Sequence, residues 1–287
     1  MATIAHDQSE PPVAGDLVAR HRLATRLWHW ITVVAFFIML MSGLMIFNAH
    51  PRLYWGEYGA NPDVAWFEIG SRGDVGYARL GSLEVPTTGV LGVWRDAEGA
   101  TQRRAFPHWM TIPSGYSLAD ARLWHLAFAW LLALGLLIFM VVSLVNRHFQ
   151  RDLTIRRAEI APAHIWHDVK DHARLRFPTG AAALRYNILQ KLAYAGVLFV
   201  LLPLIILTGL TMSPALTSGW AFLIDLFGGR QSARSLHFIA TWALVAFFFI
   251  HIAMVVLAGP INEVRSMITG RVRIPPDKEA RDAPPTA

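Results

Sequence analysis

Long uninterrupted apolar stretches dominate the chain, and polar segments rich in charged residues, glycine and proline separate them. A helix needs about 20 apolar residues to cross the roughly 30 Å hydrocarbon core of a bilayer. Four stretches reach that length: Leu27–Phe47, Leu123–Val145, Leu192–Met212 and Leu236–Ala258. The pattern therefore predicts an all-α membrane protein built as a bundle of four transmembrane helices.

The first stretch follows Arg20, Arg22 and Arg26, an arrangement that secretory signal peptides also show. The stretch is longer than the apolar core of a signal peptide, which has about 7–15 residues. In addition, the sequence Phe47-Asn-Ala is a poor cleavage site. We therefore expect this stretch to be retained as the first span.

Composition agrees with a membrane protein and narrows the possible cofactors. Of the 287 residues, 54% are hydrophobic and 16% are charged, whereas soluble domains carry about 25% charged residues. The chain has no cysteine. This excludes disulfides, cysteine-ligated iron–sulfur clusters and covalently attached c-type haem. A cofactor must therefore bind without a covalent link, with histidine as the obvious metal ligand.

The distribution of charge predicts how the spans are oriented. Four spans place both termini on one side, together with the segments 1–26, 146–191 and 259–287. Those segments hold 17 of the 26 Lys and Arg residues and 11 of the 20 acidic residues, so the whole net charge of +6 lies on that side. Basic loops remain in the cytoplasm, and both termini are therefore expected there. The excess charge is a topology signal that also attracts anionic lipid headgroups, and it gives no support for nucleic-acid binding.

Four of the twelve histidines lie inside the apolar spans: His29, His125, His237 and His251. Ionisable groups in a bilayer are costly, so their presence indicates function. Fourteen residues separate His237 from His251, which places both on one helix face with a rise of about 21 Å between them. The two histidines therefore cannot share one metal, but they can serve two sites at different depths.

Depth in the membrane pairs the four histidines. The direction of each span brings His29 to the level of His251 and His125 to the level of His237. Two imidazoles at each of two depths are typical of two b-type haems with axial histidine ligands. A zinc site would need further ligands, and no acidic residue or cysteine in these spans supplies them. We therefore expect two non-covalent haem b groups.

Arginine precedes three of these histidines by three residues, at Arg26, Arg122 and Arg234. Residues three apart share a helix face, and arginine pairs well with carboxylates. The three arginines are therefore candidates to bind haem propionates, and ordinary anchoring at the membrane interface is the alternative. Gly43, fourteen residues after His29, is expected at the level of the outer haem, where a missing side chain would admit the porphyrin edge. Plain helix packing is the alternative for Gly43.

At this point the chain resembles the bacterial cytochrome b561 and nickel-hydrogenase b-type cytochrome family, which includes the membrane subunits of formate dehydrogenase and thiosulfate reductase. The resemblance covers about residues 20–270. Its motifs are Arg26-Leu-Trp-His29-Trp30, Arg122-Leu-Trp-His125, Tyr186-Asn187-Ile-Leu-Gln190-Lys191, and His237 with His251 fourteen residues later. The resemblance implies a four-helix haem bundle that passes electrons between a quinone and a catalytic subunit.

The resemblance also implies a quinone site beside the cytoplasmic haem. Relatives such as the formate dehydrogenase subunit bind quinone with the Asn of the third motif, which corresponds to Asn187, with Gln190 as a neighbour. Leu189 stands where those relatives have glycine. Without the resemblance, Asn187 reads equally well as the N-cap of the third span.

Several segments surround the spans. The outer loop is rich in Gly, Pro and aromatic residues, which leaves short strands or an irregular cap open. The predicted organisation is a cytoplasmic N-terminal segment 1–26, a four-helix cytochrome b domain 27–258 with outer loop 48–122 and cytoplasmic loop 146–191, and a cytoplasmic tail 259–287 that is disordered after Gly270.

These observations predict a di-haem cytochrome of the bacterial inner membrane. Electrons would pass between ubiquinone or menaquinone and a periplasmic redox enzyme docked on the outer loop, with a molybdopterin enzyme suggested by the resemblance. The sequence shows no nucleotide-binding or nucleophile motif, so we expect an electron-transfer subunit and not a self-sufficient enzyme. Three alternatives stay open: a stand-alone quinone-linked oxidase of a small species such as superoxide, a haem-free histidine-lined ion or proton transporter, and a simple membrane anchor.

Overall fold

The computed structural model describes residues 13, 15–155, 159–174 and 186–274, and within them the chain is mostly helical. The helices are α1 Leu23–Phe47, α2 Leu118–Val145, α3 Pro162–Ala173, α4 Ile188–Gly196, α5 Leu202–Thr211, α6 Pro214–Thr217, α7 Phe222–Leu226, α8 Arg230–Ala258 and α9 Pro260–Thr269. The strands are β1 Leu17–Ala19, β2 Arg52–Leu53, β3 Phe67–Arg72, β4 Val75–Leu80, β5 Leu83–Pro86, β6 Trp94–Arg95, β7 Thr101–Gln102 and β8 Arg271–Arg273.

Four helical segments are long and apolar enough to cross a membrane, as the apolar pattern predicts: Leu23–Phe47, Leu118–Val145, Ile188–Thr211 and Arg230–Ala258. They have 24 to 29 residues each. All four begin several residues before the apolar run, because the polar residues that precede each run also join the helix. The protein is therefore a multi-pass membrane protein.

The third span is not a uniform α-helix. A π-helical turn at Val197–Leu201 separates α4 from α5. Pro203 lies two residues after the end of this turn. It lacks an N–H donor, and its ring crowds the carbonyl four residues earlier. A local π-turn accommodates that conflict without ending the span.

The outer loop corrects the expectation of an all-α chain, because it contains six of the eight strands in the described residues. Four of them form an antiparallel sheet in the order β2-β3-β4-β5. The pairs Arg72–Val75 and Leu80–Leu83 close two-residue hairpin loops. Each loop begins with a glycine of positive φ, +61° at residue 73 and +59° at residue 81, and tight hairpin turns require this conformation.

This sheet packs against the helices in one compact unit, Trp30–Leu137 with Val197–Ala246. Its core joins the end of α1 to the strands through Leu44, Phe47, Leu53, Ile69, Ala105 and Phe106. Phe238 of α8 contacts both Phe47 and Phe67, with ring centroids 5.0 Å apart in each case. Apolar burial therefore holds the outer loop 48–122, here named the outer segment, to the helices that carry the histidines of this unit.

The second compact unit comprises Met1–His29, Ile138–Gly196 and Phe247–Ala287. In it, β1 pairs antiparallel with β8, so the segment before the first span meets the segment after the last. The strand at Arg271–Arg273 differs from the predicted disorder after Gly270, because Gly270 ends α9 with φ +82° and turns the chain back towards β1. Residues 275–287, the rest of the predicted disordered tail, lie outside the described residues.

Candidate haem sites

The imidazole rings of His125 of α2 and His237 of α8 lie opposite each other in the compact unit that contains the sheet. Their ring centroids are 6.3 Å apart, with 58° between the ring planes. This is the outer pair that the depth argument predicts. The outer segment fixes the part of α8 near His237, because the Trp66 indole donates to Ser235 Oγ at 2.9 Å. Ser235 Oγ in turn donates to the Tyr54 carbonyl at 2.6 Å.

Each ring of the outer pair contacts a hydroxyl residue that is followed by glycine. Ser42 Oγ lies 3.1 Å from His125 Nδ1, and Thr208 Oγ1 lies 3.0 Å from His237 Nδ1. A Cβ on Gly43 would stand 3.3 Å from His125 Cε1, and one on Gly209 would stand 3.4 Å from His237 Cε1. The structure thus places Gly43 against a candidate ligand ring, and its predicted role towards the porphyrin edge stays a prediction.

Sequence reasoning missed Ser42, Thr208 and Gly209. The available signal was the repeated pattern of a hydroxyl residue and a glycine inside an apolar span, at residues 42–43 and 208–209. Such pairs also serve helix packing in membranes. Only the fold shows that both face a histidine.

His29 of α1 and His251 of α8 form a second pair in the other unit, the inner pair of the depth argument. Their ring centroids are also 6.3 Å apart, with 60° between the ring planes. The surroundings differ from those of the outer pair. The His251 ring stacks on Phe247 at 5.9 Å, and Trp28, next to His29, stacks on Phe139 at 5.7 Å.

The spacing of both pairs fits two axial ligands of one iron. An imidazole nitrogen lies about 2.0 Å from a bound metal ion and roughly 1.1 Å from the centre of its own ring. Two axial imidazoles therefore place their centroids about 6.2 Å apart, and both pairs measure 6.3 Å. Among the described residues, no group of three or more His, Cys, Asp or Glu side chains could hold a metal ion. The donor set therefore suits haem, whose porphyrin supplies the other four nitrogens.

Arg26, a candidate for a haem propionate, lies one turn before His29. Its Nη2 donates to the carbonyl of Ile268 near the end of α9, and a Cβ on Gly270 would stand 3.2 Å from its Nη1. Within the described part of the chain, its Nε is buried and has no hydrogen-bond partner. The guanidinium therefore supports the end of α9, and its role towards a haem propionate stays a prediction.

Arg234, the second candidate, connects α8 to the chain that follows α1. Its guanidinium donates to the carbonyls of His50 and Arg52 and lies 5.5 Å from the centre of the Phe47 ring. Arg122, the third candidate, is exposed on α2. Propionate binding by Arg122 and Arg234 stays a prediction.

His50 lies beside the Arg234 contact, and its ring stacks on Tyr54 at 5.8 Å. Burial and the positive charges of Arg234 and Arg52 lower the pKa of His50, although Glu68 acts in the opposite direction. These effects favour the neutral form of His50. The positive charge at this end of α8 comes from the arginines.

Asn187 and Gln190, the candidate quinone ligands, form a capping box at the start of α4. Asn187 Oδ1 accepts from the Gln190 backbone N–H at 2.9 Å, and Gln190 Oε1 accepts from the Asn187 backbone N–H at 3.3 Å. The capping role of Asn187 is thus observed. Both capping bonds use side-chain oxygens, and the role of Asn187 and Gln190 towards quinone stays a prediction. Lys191, the next residue, donates to both carboxylate oxygens of Glu159 at 2.8 and 2.9 Å.

Comparison with known proteins agrees with this geometry. The chain matches the family described as prokaryotic cytochrome b561 over residues 20–270. A protein of Azospira oryzae, provisionally named protein-methionine-sulfoxide reductase subunit YedZ1, is 28% identical over 244 residues, which are 84% of this chain and 92% of the relative. No solved structure matches the chain. Because the family match covers most of its length, the protein belongs to the prokaryotic cytochrome b561 family, whose members bind haem b in the membrane and transfer electrons.

Proposed function

We propose that this protein binds two haem b groups and carries electrons between the quinone pool and a redox enzyme on the periplasmic side of the bacterial inner membrane. The observation that carries the proposal is the occurrence of two histidine pairs with the same centroid spacing of 6.3 Å, one in each compact unit. One such pair could be a packing contact. Two of them, on residues that are costly to bury in a bilayer, indicate two ligand sites.

The side chains have distinct tasks in this proposal. His125 with His237, and His29 with His251, would each hold one haem iron, and the apolar helices around them would exclude water from the site. Haem b, when bound, supplies one-electron transfer. Arg26, which keeps a buried Nε donor, would neutralise a propionate carboxylate.

The topology proposal rests on strand pairing and on charge. The direct pairing of β1 with β8 supports a topology in which the two segments that flank the four spans lie on the same side of the membrane. Seventeen of the 26 Lys and Arg residues lie in the segments of that side, which supports its placement in the cytoplasm. The sheet of the outer segment would then face the periplasm.

The quinone site is proposed beside the inner histidine pair. The compact unit that holds His29 and His251 also holds Asn187 and Gln190. Their amide groups would donate to a carbonyl of ubiquinone or menaquinone. The helix N-terminus that they cap adds a partial positive charge, which favours the electron-rich reduced ring.

The partner enzyme is proposed to dock on the outer segment, whose four-stranded sheet offers it a folded surface. The Azospira oryzae relative is named as a subunit of a protein-methionine-sulfoxide reductase. That name favours a subunit that serves a partner enzyme over a stand-alone oxidase. A sulfoxide reductase is therefore the first partner to test, and a molybdopterin cofactor in the partner is suggested by the family resemblance.

Quinol-driven reduction of single-haem variants tests this function. In nanodiscs, a quinol should reduce the haem that remains in His125→Ala within the mixing time of a manual assay. It should reduce the haem that remains in His29→Ala much more slowly, because quinone binds beside the inner pair. Equal rates in the two variants would contradict the proposed side of the quinone site. Absence of haem from the wild-type protein would contradict the function as a whole and favour the transporter alternative.

A further inference from the structure

The hydroxyl groups beside the outer histidines donate their hydrogen to backbone carbonyls of their own helices. Ser42 Oγ lies 2.6 Å from the Ile38 carbonyl, and Thr208 Oγ1 lies 2.7 Å from the Leu204 carbonyl. A carbonyl oxygen can only accept, and a hydroxyl has a single hydrogen to donate. Each hydroxyl therefore donates to its own helix and presents a lone pair to the histidine.

This arrangement determines which nitrogen of each imidazole carries the proton. Because Ser42 and Thr208 must accept, Nδ1 of His125 and of His237 must donate. A separate contact agrees for His125, whose Nδ1 also lies 3.1 Å from the Met39 carbonyl. In a neutral imidazole the other nitrogen, Nε2, then holds the lone pair that binds a metal.

The glycines complete the arrangement by giving the rings room. A Cβ at Gly43 or Gly209 would stand only 3.3 or 3.4 Å from a ring carbon. With glycine at these positions, each ring lies against the helix backbone with its Nδ1 within reach of the preceding hydroxyl. The same two-residue pattern on α1 and on α5 serves the two ligands of one site.

We infer that Ser42 and Thr208 are positioning residues, which fix the tautomer of the two outer haem ligands and set the reduction potential of the outer haem. The inference rests on the proposed function, since it requires a haem between His125 and His237. An imidazole that donates from Nδ1 is a stronger ligand through Nε2. A stronger imidazole donor stabilises ferric iron more than ferrous iron, so these hydrogen bonds lower the potential of the outer haem.

The test compares two threonines of the same helix. Thr208→Val removes the hydroxyl beside His237. The matched control is Thr211→Val, because Thr211 is equally buried and donates to the Leu207 carbonyl at 2.8 Å. Thr208→Ser retains the hydroxyl and should restore the native behaviour. Redox titration of the purified protein gives both haem potentials, and His125→Ala identifies which signal belongs to the inner haem.

We expect Thr208→Val to raise the outer potential and to weaken outer haem binding about tenfold, with the inner haem unchanged. Thr211→Val and Thr208→Ser should match the wild type. Ser42→Ala should shift the outer potential in the same direction, because it removes the hydroxyl that accepts from His125. Equal potentials in Thr208→Val and Thr211→Val would overturn the inference while leaving the di-haem function intact. If Thr208→Val fails to fold, the outer potential of Ser42→Ala decides the matter: a rise supports the inference and an unchanged value overturns it.

Discussion

The imidazole rings of His125 and His237 face each other at 6.3 Å with 58° between their planes. Bound to one haem iron at this angle, the two imidazoles would lie far from parallel. The inner pair has nearly the same angle, 60°. Low-spin ferric haem with strongly rotated axial imidazoles has a highly anisotropic electron paramagnetic resonance spectrum. We therefore predict signals of that type from both haems, and two spectra typical of parallel imidazoles would contradict the ring geometry.

Removal of single histidines tests the pairing. His125→Ala and His237→Ala should each lose the outer haem and keep the inner one. Each change leaves the outer site with a single histidine and does not alter the inner site. His29→Ala and His251→Ala should show the reverse. Haem content and the visible spectrum of each purified variant measure this outcome. Loss of one and the same haem in all four variants would show that the pairs are not separate sites.

The capping role of Asn187 and its proposed role in quinone binding can be tested separately. Asn187→Asp keeps an oxygen that accepts from Gln190 N–H and removes the amide donor. We predict that this variant folds normally and loses quinol oxidation. Asn187→Ala should also destabilise the start of α4, by about 1 kcal/mol. Thermal melting and quinol kinetics measure the two effects, and an unaltered quinol rate in Asn187→Asp would leave Asn187 with a capping role alone.

An acidic residue inside the outer sheet should make that sheet sensitive to acid. Glu68 is 7% exposed and accepts from Tyr77 at 2.8 Å, from Arg52 at 3.1 Å and from Arg79. Burial alone would raise the pKa of Glu68, but the hydrogen bonds from Tyr77 and Arg52 and the charges of the two arginines lower it. A lowered pKa stabilises the folded state above the unfolded value of about 4.3, and the gain is lost as pH falls through the folded pKa.

We therefore predict that the sheet loses stability below about pH 4 and that Glu68→Gln destabilises it at neutral pH by about 3 kcal/mol. The matched control is Glu84→Gln, because the Glu84–Arg72 pair has side chains that are 32% and 64% exposed. A pair this exposed contributes only about 0.5 kcal/mol. Hydrogen exchange of the strand amides, corrected for the intrinsic rate at each pH, measures both variants. Similar protection in the two variants would contradict a structural role for Glu68.

Much of the helical architecture could be predicted from the sequence, since bilayer thickness sets the length of an apolar span and charge is costly within it. The four histidines stand out for the same reason. The starts of the spans were placed too late, because an apolar run does not reveal that residues such as Arg26 and Arg122 continue the helix. The π-turn before Pro203 had a sequence signal in the proline itself.

The remaining features depend on contacts between distant parts of the chain. The strands of the outer segment are short, and their burial comes from Phe47 and Phe238, which belong to other elements. Ser42 and Thr208 are ordinary small residues of apolar helices until the fold sets them beside His125 and His237. The pairing of β1 with β8 likewise joins the two ends of the described chain. Local patterns hold no signal for such contacts.

If each histidine pair holds one haem b, the purified protein contains two haems per chain. A pyridine haemochrome assay on the purified protein, set against its concentration from amino-acid analysis, counts the haems directly. We expect two b-type haems per chain, with two midpoint potentials in a redox titration. A protein that purifies folded with no haem, or with a single haem per chain, would contradict it.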